Sequence, residues 1–366
     1  AAAINTVIGS GANMRLATGI RLALRRLSAP TRYWFDASAF WTNDAATFTW
    51  VNVTAGVPQT WLESLASPYT VQNASYTLTV TPVNDVNQEG LSVARTFVVD
   101  NTNPAGTISQ PASTACPDSS ISVNSCLNVL PTIFGAAADP GNPNPPSIVA
   151  VRARIYDVNN DGYWNGTDFS INNGALPAVN LLAISTPGVS TDWSTSTAVN
   201  ASLLDGVQYR LFVHAADKAG NDEASEAAMG QFTFINDRRE PTAYLIHPSS
   251  GEVYLDVAAL TGTAVDPPGV AGPNFAGLTE VKYQVAFPAN NTCFGGVTFN
   301  KLCSDPTTFL TAVGTNAWQN AAGEASDLNG SLTSGATYVI LARARDAATN
   351  EQSVFSVPVS SRTIKI

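Results

Sequence analysis

The sequence predicts an all-β chain of three tandem antiparallel β-sandwiches, the first lacking its N-terminal strand. Three observations carry this reading. A Tyr-led alternating run occurs three times, as YTLTVTPVN at 76–84, YRLFVHAAD at 209–217 and YVILARARD at 338–346. A tryptophan precedes each run (Trp61, Trp193, Trp318), and the tyrosines stand 133 and 129 residues apart. Charged residues make up 13% of the chain, about half the usual quarter, and Thr, Ser, Asn and Ala replace them, a mix that favours strands and turns over helices.

The elements of each copy follow in order. INTVIGSGAN at 4–13 matches LPTIFGAAAD at 130–139 and LTGTAVD at 260–266, and each leads into a strand-like run: IRLALRRLS, VAVRARIYD and VKYQVAF. Residues 15–28, RLATGIRLALRRLS, could also be read as a basic amphipathic helix lying on a membrane. Their alignment with VAVRARIYD favours a strand. After the Tyr-led run, the turns DKAGN and DAATN lead to further alternating runs, QFTFIND at 231–237 and VFSVPVS at 354–360; in the first copy, RTFVVDN at 95–101 takes that place. Asn, Asp and Pro at DNTNP (100–104) and NDRREP (236–241) end one copy and open the next, giving domains 1–102, 103–238 and 239–366.

The Tyr-led strand running into D-x-A-x-N, and the domain start P-T-A-Y-L-I-x-x-P, resemble the tandem bacterial Ig-like (Big-type) repeats of large surface and secreted proteins. The resemblance spans nearly the whole chain and implies an Ig-like fold without a catalytic motif. Copy one departs from it, with VNDVNQ at 83–88 in place of the turn.

Asn13 aligns with Asp139, so residue 1 corresponds to residue 127, whereas copy two opens near residue 104. Copy one therefore starts about two dozen residues late, the length of a strand and its connection. A sandwich without that strand presents unpaired backbone groups beside Ile4, Thr6, Val7 and Ile8, an edge that templates another strand. The chain is a fragment of a longer array, or copy one does without the strand, or a neighbouring molecule supplies it. The C-terminal SSRTIKI is a candidate donor, although copy three needs it as its own last strand.

Net charge is −10, with no basic cluster longer than Arg25-Arg26 or Arg238-Arg239, which argues against nucleic acid as a partner. No window is apolar enough for a transmembrane helix, and residues 1–30 carry no signal-peptide pattern. The pairs Cys116/Cys126 and Cys293/Cys303, each ten apart, read as two loop-closing disulfides of an oxidising compartment. A four-cysteine metal site is the alternative, but neither pair has the two-residue gap such sites use. The sequons at Asn52, Asn73, Asn165, Asn200, Asn290 and Asn329 are glycosylation candidates that fit an exterior protein.

The stretch DVNNDGYWNGTD at 157–168 has calcium-loop spacing. Asp157, Asn159 and Asp161 take positions 1, 3 and 5, the Tyr163 carbonyl position 7, Asn165 position 9 and Asp168 position 12, with Gly162 at the tight turn. Asp replaces the usual Glu at the last position, and Asp-Gly alone would suit a hairpin turn. Asp100, Asp217, Asp237 and Asp346 lie at strand ends or junctions, where carboxylates cap turns or share a linker ion. The aromatic RYWFDASAFW (32–41) offers a face for sugars. With two histidines, no G-x-S-x-G, no H-E-x-x-H and no phosphate-cradling loop, the chain reads as a non-enzyme. The expected function is structural: a subunit of an extracellular fibre, sheath or cell-surface stalk, assembling with copies of itself or neighbouring Ig-like domains through β-edges. The alternative is an adhesin or glycan-binding segment of a large surface protein. An accessory module of a secreted hydrolase is a third, weaker reading.

Overall fold

The computed structural model describes residues 6–11, 17–27, 32–35, 40–42, 49–52, 59–64, 74–84, 88–117, 121–139, 148–172, 181–185, 190–195, 198–223, 229–257 and 259–366. Repeat one contributes β1 (Thr6–Gly11), β2 (Ala17–Arg26), β3 (Arg32–Phe35), β4 (Phe40–Thr42), β5 (Thr49–Asn52), β6 (Gln59–Ser64), β7 (Ala74–Asn84) and β8 (Val93–Val99). Strands β4-β3-β2-β7-β8 form one sheet, with β5 also on β2, and β1 pairs with β6. Within the run 15–28, Ala17–Arg26 form the strand β2, not a helix, and its alternation puts Ile20, Leu22 and Leu24 in the core.

Repeat two contributes β9 (Ala105–Gly106), β10 (Ser125–Leu127), β11 (Ile133–Ala138), β12 (Ile148–Asp157), β13 (Gly162–Tyr163), β14 (Ile171–Asn172), β15 (Leu181–Ser185), β16 (Ser190–Thr195), β17 (Val207–Asp217) and β18 (Gly230–Asn236). The ladder β9-β11-β16 meets the ladder β10-β18-β17-β12 through β15. Repeat three contributes β19 (Thr242–His247), β20 (Thr261–Val265), β21 (Leu278–Phe287), β22 (Thr292–Phe294), β23 (Phe299–Leu302), β24 (Leu310–Thr311), β25 (Ala317–Gln319), a short helix α1 (Glu324–Ser331), β26 (Thr337–Asp346) and β27 (Ser361–Lys365). Its sheets are β19-β20-β25 and β23-β22-β21-β26-β27, with β24 on β21. Among the described residues no ladder joins one repeat to another. In repeats two and three, side chains from both sheets meet in separate apolar cores, as in an Ig-like sandwich.

Two repeated features explain why these residues recur. The leading tyrosine plugs the core, and its hydroxyl accepts a backbone N–H five residues upstream: Leu204 N to Tyr209 at 2.7 Å and Thr333 N to Tyr338 at 2.9 Å. This is the tyrosine corner of Ig-like sandwiches. Each preceding tryptophan faces a glycine across the ladder: Gly9 with Trp61, Gly135 with Trp193 and Gly262 with Trp318. A Cβ on Gly262 would lie 2.0 Å from the Tyr244 carbonyl and 2.4 Å from the Trp318 ring. The indole N–H groups of Trp193 and Trp318 donate to Thr107 and Thr263 carbonyls, each at 3.1 Å.

One strand expectation is corrected. The run 354–360 is not a strand; Val354 and Val357 are exposed, and Pro358 has no N–H to give a ladder. The last strand of repeat three is β27, paired with β26, so SSRTIKI completes its own sandwich. Both disulfides, Cys116–Cys126 and Cys293–Cys303, are formed.

Candidate carboxylate sites at the repeat junctions

Six buried aspartates gather into two triads where one repeat meets the next. In each, one aspartate follows the last strand of the preceding repeat. The other two follow a strand in each sheet of the next repeat. Asp100 (after β8), Asp139 (after β11) and Asp217 (end of β17) form the first; Asp237, Asp266 and Asp346 form the second. Within each triad one oxygen from every carboxylate lies within 4.8 Å of the others.

The D-x-A-x-N turn holds both triads. Asn221 donates its backbone N–H to Asp217 Oδ1 and its amide to Asp217 Oδ2, each at 2.9 Å, and that amide also reaches the Asp100 carbonyl at 3.2 Å. Asn350 repeats this with Asp346, at 2.8 and 2.7 Å, and with the Asp237 carbonyl at 3.0 Å. The turn therefore orients its own carboxylate and ties its repeat to the preceding one.

The triads differ in how their oxygens are satisfied. In the second, Asp237 accepts the Arg239 and Ala276 N–H groups at 3.0 and 2.6 Å, and Asp266 accepts the Gly277 N–H at 2.7 Å. In the first, Asp100 Oδ1 accepts the Thr102 N–H, but Asp100 Oδ2 and both oxygens of Asp139 are buried with no hydrogen-bond donor. Asp139 is 5% exposed. Burial, then Asp100 through its charge and a bond to the protonated form, then the Asp217 charge push the Asp139 carboxyl up to about 6. Burial likewise raises Asp237, and it lifts Asp346 to about 6. No described Lys or Arg forms an ion pair with the first triad. Three carboxylates buried together this way cost several kcal/mol unless a cation or protons neutralise them.

The sequence names four of the six, Asp100, Asp217, Asp237 and Asp346, as turn caps or linker-ion residues. It misses Asp139 and Asp266, although both end the repeated block LPTIFGAAAD and LTGTAVD. Repeat one carries Asn13 at the position of Asp139 and Asp266, and Asn84 at that of Asp217 and Asp346. That Asn-to-Asp change is the signal that could have found them.

The stretch 157–168 folds as a hairpin and the turn after it. Asp157 caps the turn, accepting the Asn159 and Asn160 N–H groups at 3.0 Å each. Asn159 Oδ1 accepts the Gln208 N–H, and the Tyr156 hydroxyl donates to Asp161. Asn165 bonds to Thr167, Asp168 and Ser170, and Tyr163 lies in β13 with its ring buried against Phe212. The three aspartates do not form a cluster of the kind seen at the junctions. Asp161 adopts φ 55°, as does Asn291 (φ 52°) in the equivalent hairpin of repeat three, so the turn geometry recurs without the acidic set.

Other candidates are also placed. Thr6, Val7 and Ile8 lie in β1, which pairs with β6 alone among the described residues; Ile4 and Asn73 lie outside them, as do parts of 32–41. Asn52 ends β5, and Asn290 is exposed in a turn. The side chains of Asn200 and Asn329 bond to the Leu130 and Val257 backbone. His214 is buried in β17, 3.3 Å from Asp222, and His247 meets the Tyr254 ring edge-on. A groove of about 410 Å³ beside β11 and β16 has Asp192 as its single ionisable lining residue among the described residues. No described helix is long and apolar enough to cross a membrane.

No protein-family model matches the chain, and no curated protein matches it. Among solved structures, it is similar to a tetra-tandem repeat from the extending region of a large adhesion protein. That likeness is 12% identical, covers 98% of this chain and 69% of the other, and has a TM-score of 0.27. It is also similar to fibronectin(III)-like modules of Clostridium thermocellum CbhA (11% identity, 64% and 87% covered, TM-score 0.26). A third is the FN1–FN3 region of chicken CNTN1 (7%, 98% and 98%, TM-score 0.26). At these values the likeness assigns no function.

Proposed function

We propose that the chain is a non-catalytic structural segment of an extracellular or cell-surface array, a stalk, sheath or fibre, whose repeats are locked end to end by divalent cations at their junctions. The observation that carries this is Asp139, a carboxylate buried between two others with neither oxygen satisfied. Oxygen-only carboxylate ligands suit Ca²⁺, which accepts 6–8 oxygens and tolerates irregular geometry. Asp100, Asp139 and Asp217 would supply the charge, with backbone carbonyls or water completing the shell. Two disulfides and the sequons accord with an exterior location. A clamp between repeats resists bending, which a stalk or fibre needs and a glycan-binding loop does not.

The test is calorimetric titration of chelator-treated protein with Ca²⁺, alongside small-angle scattering. Binding with an increase in maximum dimension, both lost in Asp139→Asn, is the expected result. No heat at millimolar Ca²⁺ and a scattering profile indifferent to chelator would remove the reading.

A further inference from the structure

The hairpin between β12 and β13 in repeat two and that between β21 and β22 in repeat three have matching tips. Asp157 pairs with Gly162 in one and Phe287 with Thr292 in the other, and Asp161 and Asn291 share the positive φ. Asn160 therefore corresponds to Asn290. In repeat two the Asn160 amide donates to Asp157 Oδ2 at 2.9 Å. In repeat three Phe287 takes the place of that aspartate, and its side chain offers no acceptor. The Asn290 backbone N–H donates to the Phe287 carbonyl at 3.2 Å. Its side chain is exposed, and its amide has no partner among the described residues.

Asn290 opens the sequon Asn290-Asn291-Thr292, which the tip of repeat two, Asn160-Asp161-Gly162, lacks. The next strand changes with it. Gly162 pairs with Asn172 in β14, whereas Thr292 pairs with Leu302 in β23, and Leu302 is 61% exposed. In repeat three the same hairpin thus gains a free amide and, beside it, an apolar side chain open to solvent. The other sequons with described side chains use theirs in the fold. The Asn165 amide donates to Asp168 Oδ1 at 2.6 Å and Ser170 Oγ at 2.8 Å. The Asn200 amide donates to the Leu130 carbonyl, and its Oδ1 accepts the Leu130 N–H, each at 2.8 Å. Asn329 lies in α1 with its Oδ1 on the Val257 N–H at 2.7 Å.

From this we infer that Asn290 is an attachment site for an N-linked glycan, whose bulky, hydrated sugars cover Leu302. The donor is a sugar esterified at its anomeric carbon to the phosphate of a lipid carrier. Asn290 Nδ2 bonds to that carbon, the carbon–oxygen bond to phosphate breaks, and the phosphate leaves with the electron pair. The Nδ2 proton passes to a base of the transferring enzyme. Thr292 Oγ1, the sequon hydroxyl, is buried in the folded hairpin, so transfer precedes closure of the Cys293–Cys303 loop. At Asn165 and Asn200 a glycan would displace hydrogen bonds that hold the fold. The inference rests on the proposed exterior location but not on the junction cation.

The test is tryptic mapping of the native protein by mass spectrometry, before and after enzymatic release of glycans in heavy-oxygen water. The peptide 283–301, bounded by Lys282 and Lys301, is expected to carry whole sugar masses. Release should leave an oxygen-labelled aspartate at position 290, and peptides holding Asn165 and Asn200 should be bare. Asn290→Gln made in the same cells should lose the added mass and keep the parent's melting temperature. A bare 283–301 peptide, or label at Asn165 or Asn200 in folded protein, would overturn the inference. In the unreduced digest, 283–301 joined to 302–343 through Cys293–Cys303 reports the oxidising exterior separately. A joined but bare peptide sinks the glycan alone, whereas an unjoined one sinks the exterior reading.

Discussion

Asp139 is the residue on which the junction chemistry turns. Its neutral form is favoured by burial and by Asp100 and Asp217, and its folded pKa of about 6 exceeds the ordinary 3.8. A carboxyl raised in this way binds its proton more tightly when folded than when unfolded. Its penalty is therefore absent below pH 3.8 and complete above about 6, so stability falls as pH rises through that window. Asp346, also raised to about 6, acts in the same direction. Melting of cation-free protein between pH 4 and 7 is expected to show this decline, and saturating Ca²⁺ to abolish it by holding the carboxylates charged. Asp139→Asn should stabilise the cation-free chain by about 1 kcal/mol while weakening Ca²⁺ binding tenfold or more. A variant less stable than the parent without cations would show that Asp139 is not under repulsion. The triads were only half legible in the sequence: spacing along the chain shows which residues end strands, but not which ends meet. In 157–168 the spacing of oxygens matches a calcium loop, and hydrogen bonds tie several of those side chains to the hairpin and its neighbours.

At the scale of elements, the strands were the most legible part. Alternation with a leading tyrosine located β7, β17 and β26, because only a half-buried strand needs period two. The failure at 354–360 has the same origin. An alternating run was visible there, but Pro358 denies it a ladder and SRTIK, five residues long, takes the pairing instead. The Gly–Trp pair was not anticipated, since a glycine's role lies in what faces it. At Gly262 the facing atoms are a carbonyl at 2.0 Å and the Trp318 ring, and backbone cannot move aside as a flexible side chain does. Gly262→Ala is expected to cost about 3 kcal/mol in denaturant unfolding. Gly330→Ala in helix α1, where a Cβ meets nothing within 4 Å, should instead gain up to about 1 kcal/mol. Equal and small effects at both sites would show that the Gly–Trp contact is not tight.

Over the whole molecule, the two junctions are built from the same turn but differ in how far the fold itself satisfies their carboxylates. The second has a direct clasp. Asp205 accepts the Arg238 and Val270 N–H groups on its carboxylate, at 2.8 and 2.9 Å, and the Ala271 and Gly272 N–H groups on its carbonyl. Asn274 bonds to the Gly206 carbonyl at 2.8 Å, and a Cβ at Gly206 would lie 2.3 Å from Gly272 O. Backbone donors also meet Asp237 and Asp266, so much of that triad's charge is already solvated by the fold. The first triad keeps three oxygens without donors. Removing cations should therefore loosen repeat one from repeat two while repeats two and three stay joined. Limited proteolysis with and without chelator is the direct measurement: chelation is expected to open cleavage at 100–104 well before 236–241. Simultaneous cleavage at both, or none at either, would mean that the unsatisfied oxygens of Asp100 and Asp139 do not set the strength of the first junction.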